Sequence, residues 1–364
     1  MHKYMAEAIA EASKGAGQTS PNPTVGAVIV HDGEIVGRGF HTWSNRKHAE
    51  VVAIEQAGEK SHGATLYVTL EPCSHTGRTG PCADAVIAAG ISRVVAAMQD
   101  PNPVVAGRGF EKMRNAGITV EVDMDATSAA EQLNESFNHF MRTGLPLVTL
   151  KAALTLDGKI AAPDDNTGWI TSERARAHVQ MLRHRADSIL TGIGTVLADD
   201  CLLTDRSGEP RSRPLLRIVV DSQLRIPLES QMVRSAKEDL VIATTSAAPD
   251  ERKAILESRG IRVLVCDGPG GRTDFPSIVR WLAEEKYQSL MIEAGSKVNW
   301  SALESGVVDR IFFYYAAKIL GGLQSLPVAG GAGRKRRVDA MLFRNLQVHS
   351  IAPDEFAVEA WLVK

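Results

Sequence analysis

Residues 69–82 read Thr69-Leu70-Glu71-Pro72-Cys73-Ser74-His75-Thr76-Gly77-Arg78-Thr79-Gly80-Pro81-Cys82, and His48-Ala49-Glu50 stands upstream of them. The two cysteines each follow a proline, are separated by eight residues, and join one histidine as soft or borderline donors. One imidazole and two thiolates form the ligand set of a catalytic zinc, whose fourth position stays open for water; a closed structural site needs a fourth protein ligand. Bound zinc lowers the pKa of its water from about 16 toward roughly 7, so a nucleophile becomes available at neutral pH. Glu50 would lie about 200° around a regular helix from His48, so the two converge best where a helix is just beginning. Cys82 after Pro81 also reads as a helix start, with the proline in the first turn and the N-terminal dipole favouring thiolate.

Around these motifs the chain alternates strands and helices. Residues 25–31 are a β-branched run, Asp32-Gly33 is a hairpin signal, and 34–39 return as a second strand. Helices begin near His48 and Cys82; 64–70, 93–98 and 118–122 read as strands, 109–115 as a helix, and 126–142 as one longer helix. Thr143-Gly144-Leu145-Pro146 carries the glycine and proline that stop a helix, which divides the chain into domains 1–145 and 146–364. The second half continues with helix 172–185, strand 189–191, and buried strands 215–221, 240–245, 262–265 and 289–293. Helices 250–258 and 275–286 lie between the last three strands, giving a mostly parallel arrangement. Residues 310–315 and 358–363 read as long antiparallel strands, and Met113, Met124, Trp281 and Trp361 read as core. Both halves are α/β.

Composition sets outer limits. The 364 residues suffice for more than one hydrophobic core, and 41 Lys+Arg against 43 Asp+Glu leave a formal charge of −2. A disordered chain and a general polyanion binder are both disfavoured. No apolar run approaches the roughly 18 residues of a membrane span. Glu7 and Glu11 interrupt what a secretory signal would keep apolar, so the N-terminus reads as a short amphipathic helix and the expected location is cytoplasmic. Four cysteines are too few and too unevenly placed for a disulfide framework. The basic run Arg334-Lys335-Arg336-Arg337, after Gly330-Gly331-Ala332-Gly333, reads as a flexible surface loop near an anionic substrate and is assigned no site.

H-x-E followed by P-C and a later cysteine is the order found in zinc nucleobase deaminases, where the glutamate shuttles protons and is not a ligand. With Pro21-Asn22-Pro23-Thr24-Val25-Gly26, Gln99-Asp100-Pro101-Asn102-Pro103 and Val105-Ala106-Gly107-Arg108-Gly109, the motifs resemble the bifunctional riboflavin-biosynthesis deaminase/reductase (RibD-type) family. The eight-residue insertion between the cysteines separates that family from cytidine and tRNA-adenosine deaminases. The resemblance implies a cytidine-deaminase-like three-layer α/β/α domain that removes an amino group hydrolytically from a diaminopyrimidine ribosylamino phosphate. His48, Cys73 and Cys82 would hold Zn2+, Glu50 would carry the proton, and Asn22 would hydrogen-bond substrate; Arg78 would either meet its phosphate or stand as a solvated loop charge. Gly80 and residues 42–47 depart from the usual family pattern.

Further segments extend the resemblance over nearly the whole chain: residues 150–159, Trp169-Ile170-Thr171-Ser172, residues 192–200 and Ile292-Glu293-Ala294-Gly295. They imply a dihydrofolate-reductase-like α/β domain that reduces the ribosyl side chain to ribityl with NADPH. The cofactor would contact Ala153, Trp169, Thr195, Asp199, Ser222 and the turn Gly295, Ser296, Lys297, Val298, Asn299, Trp300 and Ser301. Thr167, Arg183, Leu203, Arg206 and Glu293 would contact the aminouracil ribosylamino phosphate, with the two guanidiniums matched to phosphate. Lys151 and Asp199 would assist proton movement. Physically, Glu293 ends a buried strand, and a glycine-bearing strand-to-helix turn presents N–H groups to a phosphate. Cys201 stands where the family has proline. The implied partner is a small aminopyrimidine ribotide, with no nucleic acid and no membrane, and the family commonly self-associates as a dimer or tetramer. Two other readings stand beside this one: a nucleoside or tRNA-adenosine deaminase with an appended nucleotide-binding domain, and a zinc-stabilised regulatory module without turnover.

Overall fold

A computed structural model describes residues 1–76 and 80–364. It divides into a first unit, Met1–Gly144 with Pro210–Arg213, and a second, Leu145–Glu209 with Pro214–Lys364. Among the described residues no helix is long and apolar enough to cross a membrane.

The first unit runs α1 (Lys3–Ser13), β1 (Gly26–His31), β2 (Glu34–Phe40), α2 (Ala49–Ala57), β3 (Thr65–Val68), α3 (Cys82–Ala88), β4 (Arg93–Ala96), α4 (Arg108–Asn115), β5 (Thr119–Val122), α5 (Thr127–Leu133) and α6 (Glu135–Thr143). Its sheet has the order β2-β1-β3-β4-β5, antiparallel around β1 and parallel from β3 onward. β1 is buried almost throughout, as its unbroken apolar run requires, and joins a core containing Met5, Leu66, Val94 and Met113. Two glycines set the position of the helix that follows His48. A Cβ at Gly37 would lie 2.2 Å from Ala53 O, and one at Gly39 would lie 2.2 Å from Ala49 O. Bare backbone on β2 therefore lets α2 lie directly against the strand.

Three features differ from the sequence reading. Residues 126–142 form two helices because Asn134, buried between them, takes φ −119° and ψ 24°. Its amide pairs with both Thr24 N–H (2.7 Å) and Thr24 O (2.9 Å), an interaction worth more to a buried backbone than one more helical turn. Met124 is 75% exposed in the loop after β5 and is not core. The strand Arg262–Val265 lies at a sheet edge and is only partly covered.

The second unit contains β6 (Leu147–Thr155), β7 (Lys159–Ala161), α7 (Glu173–Arg185), β8 (Ser188–Gly192), α8 (Ile193–Asp199), β9 (Leu216–Val220), α9 (Gln231–Arg234), β10 (Leu240–Thr244), α10 (Asp250–Ser258) and β11 (Arg262–Val265). It continues with β12 (Asp267–Gly268), β13 (Arg272–Thr273), α11 (Phe275–Glu284), β14 (Ser289–Ile292), α12 (Ser296–Glu304), β15 (Arg310–Ala316), β16 (Leu326–Pro327), β17 (Phe343–Ala352) and β18 (Glu355–Leu362). Nine strands form one sheet in the order β11-β10-β9-β8-β14-β6-β15-β18-β17. The members from β11 to β15 are parallel, and β18 and β17 close the sheet antiparallel. Helices bury both faces, Ile278 and Leu282 of α11 in one core and Ile193 and Val196 of α8 in another. The carboxyl ends of β8, β9 and β14 are followed by Ile193, Asp221 and Glu293, the edge of a parallel sheet where ligands bind.

Candidate functional site

His48 is the residue before α2 and keeps an extended backbone (φ −79°, ψ 160°), while Glu50 lies in the helix's first turn. A helix start is therefore where His48 and Glu50 meet, as the sequence spacing requires. Cys82 is the first residue of α3; Pro81 lies just outside it as the capping residue, one position earlier than a first-turn proline. His48 Nδ1 lies 3.0 Å from Cys82 Sγ and 3.7 Å from Cys73 Sγ, and the three donor atoms all fall within 4.8 Å of one another. Ligands of a tetrahedral zinc stand about 3.5–3.8 Å apart, given Zn–S near 2.3 Å and Zn–N near 2.0 Å. The donor set and its convergence both fit zinc, with one position left open.

Burial and charge tune the groups around that point. Glu50 is 3% exposed, and burial, opposed by the His48 charge and helped by Cys73, lifts its carboxyl to about 7. Cys73, and not the helix-starting Cys82 for which the sequence predicts thiolate, holds the negative charge of the thiol pair, because Cys82 is buried and hydrogen-bonds to Cys73. Its hydrogen bond from Cys82 brings it to about 4 against the cost of burial, with His48 assisting, and Cys82 is pushed up by that same hydrogen bond and by burial. The Cys82 N–H also reaches Cys73 Sγ at 3.3 Å.

Asn22, half-buried, lies with Nδ2 3.0 Å from His41 Nε2, and His41 Nδ1 lies 2.8 Å from Lys47 O. A carbonyl only accepts, so Nδ1 of His41 carries the proton and Nε2 accepts from the Asn22 amide, which fixes which way that amide points. The His41 ring also meets the His48 ring edge-on at 5.2 Å. Sequence reasoning passed over His41; a histidine closing strand β2 seven residues before the metal histidine was the available signal. It also passed over Glu71. This buried carboxylate accepts from Gly107 N–H (2.9 Å), Gly109 N–H (2.9 Å), Asp100 N–H (3.2 Å) and Phe110 N–H (3.3 Å). It thereby caps α4 from outside and ties the 100–110 segment to Pro72-Cys73. Arg78 falls outside the described residues.

In the second unit, Glu293 joins two residues expected to act separately. Its carboxylate receives Lys151 Nζ at 2.9 Å on one oxygen and Arg183 Nε and Nη2 at 3.1 and 2.9 Å on the other, and Arg183 Nη1 donates to Thr204 O at 2.9 Å. Burial would raise the Glu293 carboxyl, but the two cations hold it at about 2. Leu203 is buried in the left-handed region at φ 53°, an unfavourable conformation for a γ-branched residue and one concentrated at functional sites. The Cys201 thiol is pushed to about 11 by burial and then by the Asp199 charge, with Arg183 and Glu293 also within electrostatic reach. Asp199 ends α8, and desolvation raises its carboxyl. Arg206 is exposed and held by its backbone N–H on Gln180, and Thr167 Oγ1 donates to Asp165.

Of the residues expected to meet the cofactor, Thr195, Ser222 and the 295–301 turn follow the carboxyl ends of β8, β9 and β14. Gly295 precedes α12 without a side-chain cap, and Thr195, in the first turn of α8, lies beside it. Among the described residues Ser296 Oγ, Asn299 Oδ1 and Trp300 Nε1 are buried without hydrogen-bond partners, and Val298 packs against Gly192. Lys297 is exposed and Ser301 half-buried on the same helix. Ser222 follows β9, where its Oγ accepts from Thr273 N–H, and Ala153 lies on β6. Trp169 is 68% exposed with the Arg176 guanidinium 4.8 Å over its ring. An uncapped helix start with unpaired buried polar atoms fits the phosphates of a dinucleotide.

The chain matches known proteins along its whole length. Residues 146–354 match the RibD C-terminal domain, and residues 1–98 match the cytidine and deoxycytidylate deaminase zinc-binding region. It is 46% identical over 333 residues to the riboflavin biosynthesis protein RibD of Actinobacillus pleuropneumoniae, covering 91% of this chain and 87% of that one. The solved structure of Acinetobacter baumannii RibD, form 1, superposes with a TM-score of 0.87 at 34% identity, over 99% and 98% of the two chains. A Thermotoga maritima structure described as a diaminohydroxyphosphoribosylaminopyrimidine deaminase/5-amino-6-(5-phosphoribosylamino)uracil reductase superposes with a TM-score of 0.84 at 35% identity over the same shares. A converging zinc site in a deaminase-type first unit, followed by a reductase-type second unit, places this chain in the bifunctional riboflavin-biosynthesis deaminase/reductase family, whose cofactors are zinc and NADPH.

Proposed function

We propose that residues 1–145 deaminate 2,5-diamino-6-ribosylamino-4(3H)-pyrimidinone 5′-phosphate and that residues 146–364 then reduce the ribosyl side chain of the product to ribityl. The observation that carries this reading is the convergence of His48 Nδ1, Cys73 Sγ and Cys82 Sγ beside the buried carboxylate of Glu50. When bound, zinc supplies Lewis acidity at an open position and brings the ionisation of water into the neutral range. Glu50 then moves two protons in turn: it takes the first from water as the oxygen adds to the ring carbon and delivers it to the ring nitrogen, then takes the second from the added hydroxyl and delivers it to the departing amine, so that a carbonyl forms and ammonia leaves. Its carboxyl, near 7 in the chain itself, is suited to both halves of that transfer. Asn22, oriented by His41, holds the pyrimidine edge.

In the second half NADPH supplies hydride to the opened ribose carbon when bound. Ala153, Trp169, Thr195, Asp199, Ser222 and residues 295–301 hold it. Glu293 stays ionised and fixes Lys151 and Arg183 at the substrate, with Thr167 and Leu203 completing the wall. Lys151 and Asp199 provide the accompanying proton. Arg206, whose guanidinium is not committed to Glu293, offers the forked match to the substrate phosphate. We further propose a cytoplasmic homo-oligomer that does not act on nucleic acid. Four free cysteines support a reducing compartment, the balanced charge supports a small-molecule substrate, and exposed Phe343, Leu346 and Val348 on edge strand β17 support self-association.

Glu50→Gln tests the reading. The variant keeps its zinc, loses ammonia release by about 10²- to 10⁴-fold, and still oxidises NADPH when given the deaminated intermediate. Undiminished ammonia release removes Glu50 from the chemistry.

A further inference from the structure

After β16 the chain turns back over the first turn of α12. Gly330 N–H donates to Ser296 O at 3.0 Å. A Cβ on Gly330 would fall 2.5 Å from Ser296 Oγ, and one on Gly331 would fall 2.4 Å from the Trp300 ring, so a side chain at 331 would displace the strap or the ring. The next residues after Gly333 are Arg334, Lys335, Arg336 and Arg337, all exposed. Arg334 places its guanidinium 5.6 Å over the Trp300 ring, which anchors the run to α12. Arg336 is committed to Asp339 at 2.8 and 2.6 Å. Arg334, Lys335 and Arg337 have no carboxylate within salt-bridge distance among the described residues.

What lies under this strap attracts anions. α12 is nine residues long, its N-terminus has no side-chain cap, and among the described residues the Ser296 hydroxyl (residue 5% exposed), the Trp300 indole N–H and the Asn299 amide oxygen are buried without partners. Helix N–H groups, two unpaired donors and a cationic run tied on through Arg334 over Trp300 therefore belong to one helix and the strap across it.

We propose that the Arg334–Arg337 run is an anion-binding arm of the reductase half, strapped over α12 by Gly330 and Gly331 so that its cations meet the phosphates of the dinucleotide. The inference rests on reading residues 295–301 as the cofactor turn. The test titrates the full-length protein calorimetrically with NADPH, NADH and 2′,5′-ADP at low and high salt. In Arg334→Ser/Lys335→Ser/Arg337→Ser, NADPH binds about tenfold or more weakly at low salt, the salt dependence flattens, and the thermal midpoint stays put because these side chains are solvent-exposed. Gly331→Val keeps every charge but lifts the strap off Trp300, and weakens NADPH comparably. A loss for NADPH and 2′,5′-ADP alone assigns the arm to the 2′-phosphate; an equal loss for NADH assigns it to the pyrophosphate. Wild-type affinity and salt dependence in both variants overturn the arm while leaving the cofactor turn intact. A wild type that binds no NADPH overturns both.

Discussion

Glu293→Gln removes one negative charge from between two buried cations while keeping the side chain's shape. In the native protein Lys151 and Arg183 are 7% and 10% exposed at the side chain, and Glu293 is 23% exposed. The fall of its carboxyl from an ordinary 4.5 to about 2 corresponds to about 3 kcal/mol, at roughly 1.4 kcal/mol for each tenfold change in acidity. Breaking a buried pair by deleting one partner costs about 3–5 kcal/mol, which agrees in scale. The pH dependence has a definite sign. Because folding depresses this carboxyl, its contribution is fully present above pH 4.5 and is lost as pH falls from there through about 2. Denaturant unfolding of wild type and variant at a series of pH values, followed by a probe in the second unit, should give a gap of about 3 kcal/mol at pH 7 that closes in acid. A gap below about 0.5 kcal/mol at pH 7, the range of an ordinary surface change, refutes the claim that this carboxylate holds the two cations. A gap that persists at low pH shows that packing, and not charge, was lost.

Three further outcomes follow from the first unit. Cys82→Ser replaces a sulfur donor with a hydroxyl, and zinc affinity measured against a competing chelator should fall by more than about 100-fold; stoichiometric zinc after dialysis at wild-type chelator levels contradicts the ligand assignment. His41→Ala frees the Asn22 amide. KM for deamination should then rise about tenfold, the cost of one misdirected hydrogen bond, with zinc retained and partial recovery in His41→Gln, whose side-chain oxygen can accept from Asn22; an unchanged KM excludes the positioning role. Glu71→Gln puts an N–H2 group against a nest of N–H donors and should lower the stability of the first unit by about 1–3 kcal/mol, read from its thermal transition with zinc present.

The metal site was legible because its chemistry is compressed into residue types at short spacing. His48, Glu50, Cys73 and Cys82 announce themselves by side-chain chemistry, and proline and the helix period say where each helix starts. The parallel core was legible for a related reason: strands such as Leu216–Val220 and Leu240–Thr244 are buried on both faces and read as unbroken apolar runs. Edge strands carry no such signal. β17 is exposed over most of its length and was missed, while β11 was read as buried. The break at Asn134 depends on a partner 110 residues away, which no local pattern encodes. The same applies to Glu293, whose meaning comes from Lys151 and Arg183, themselves far apart in the chain. Glu71 acts on backbone groups, which sequence spacing does not mark; His41 stands seven residues before His48, but its action on another side chain's amide is not encoded in that spacing.

The two units use one residue type for opposite ends. Glu50 and Glu293 both lie where burial raises a carboxyl. What separates them is the charge nearby: Glu293 has an ammonium and a guanidinium within 3.1 Å, whereas the His48 charge that favours ionised Glu50 is opposed by the Cys73 thiolate. One carboxyl therefore sits near 7 and can hold or release a proton; the other sits near 2 and remains a fixed anion. The first is suited to proton transfer, and the second to rigid placement of cations. Exchanging the roles would require moving cations and not merely carboxylates, so Glu50 and Glu293 can act as a proton shuttle and a strut within one chain.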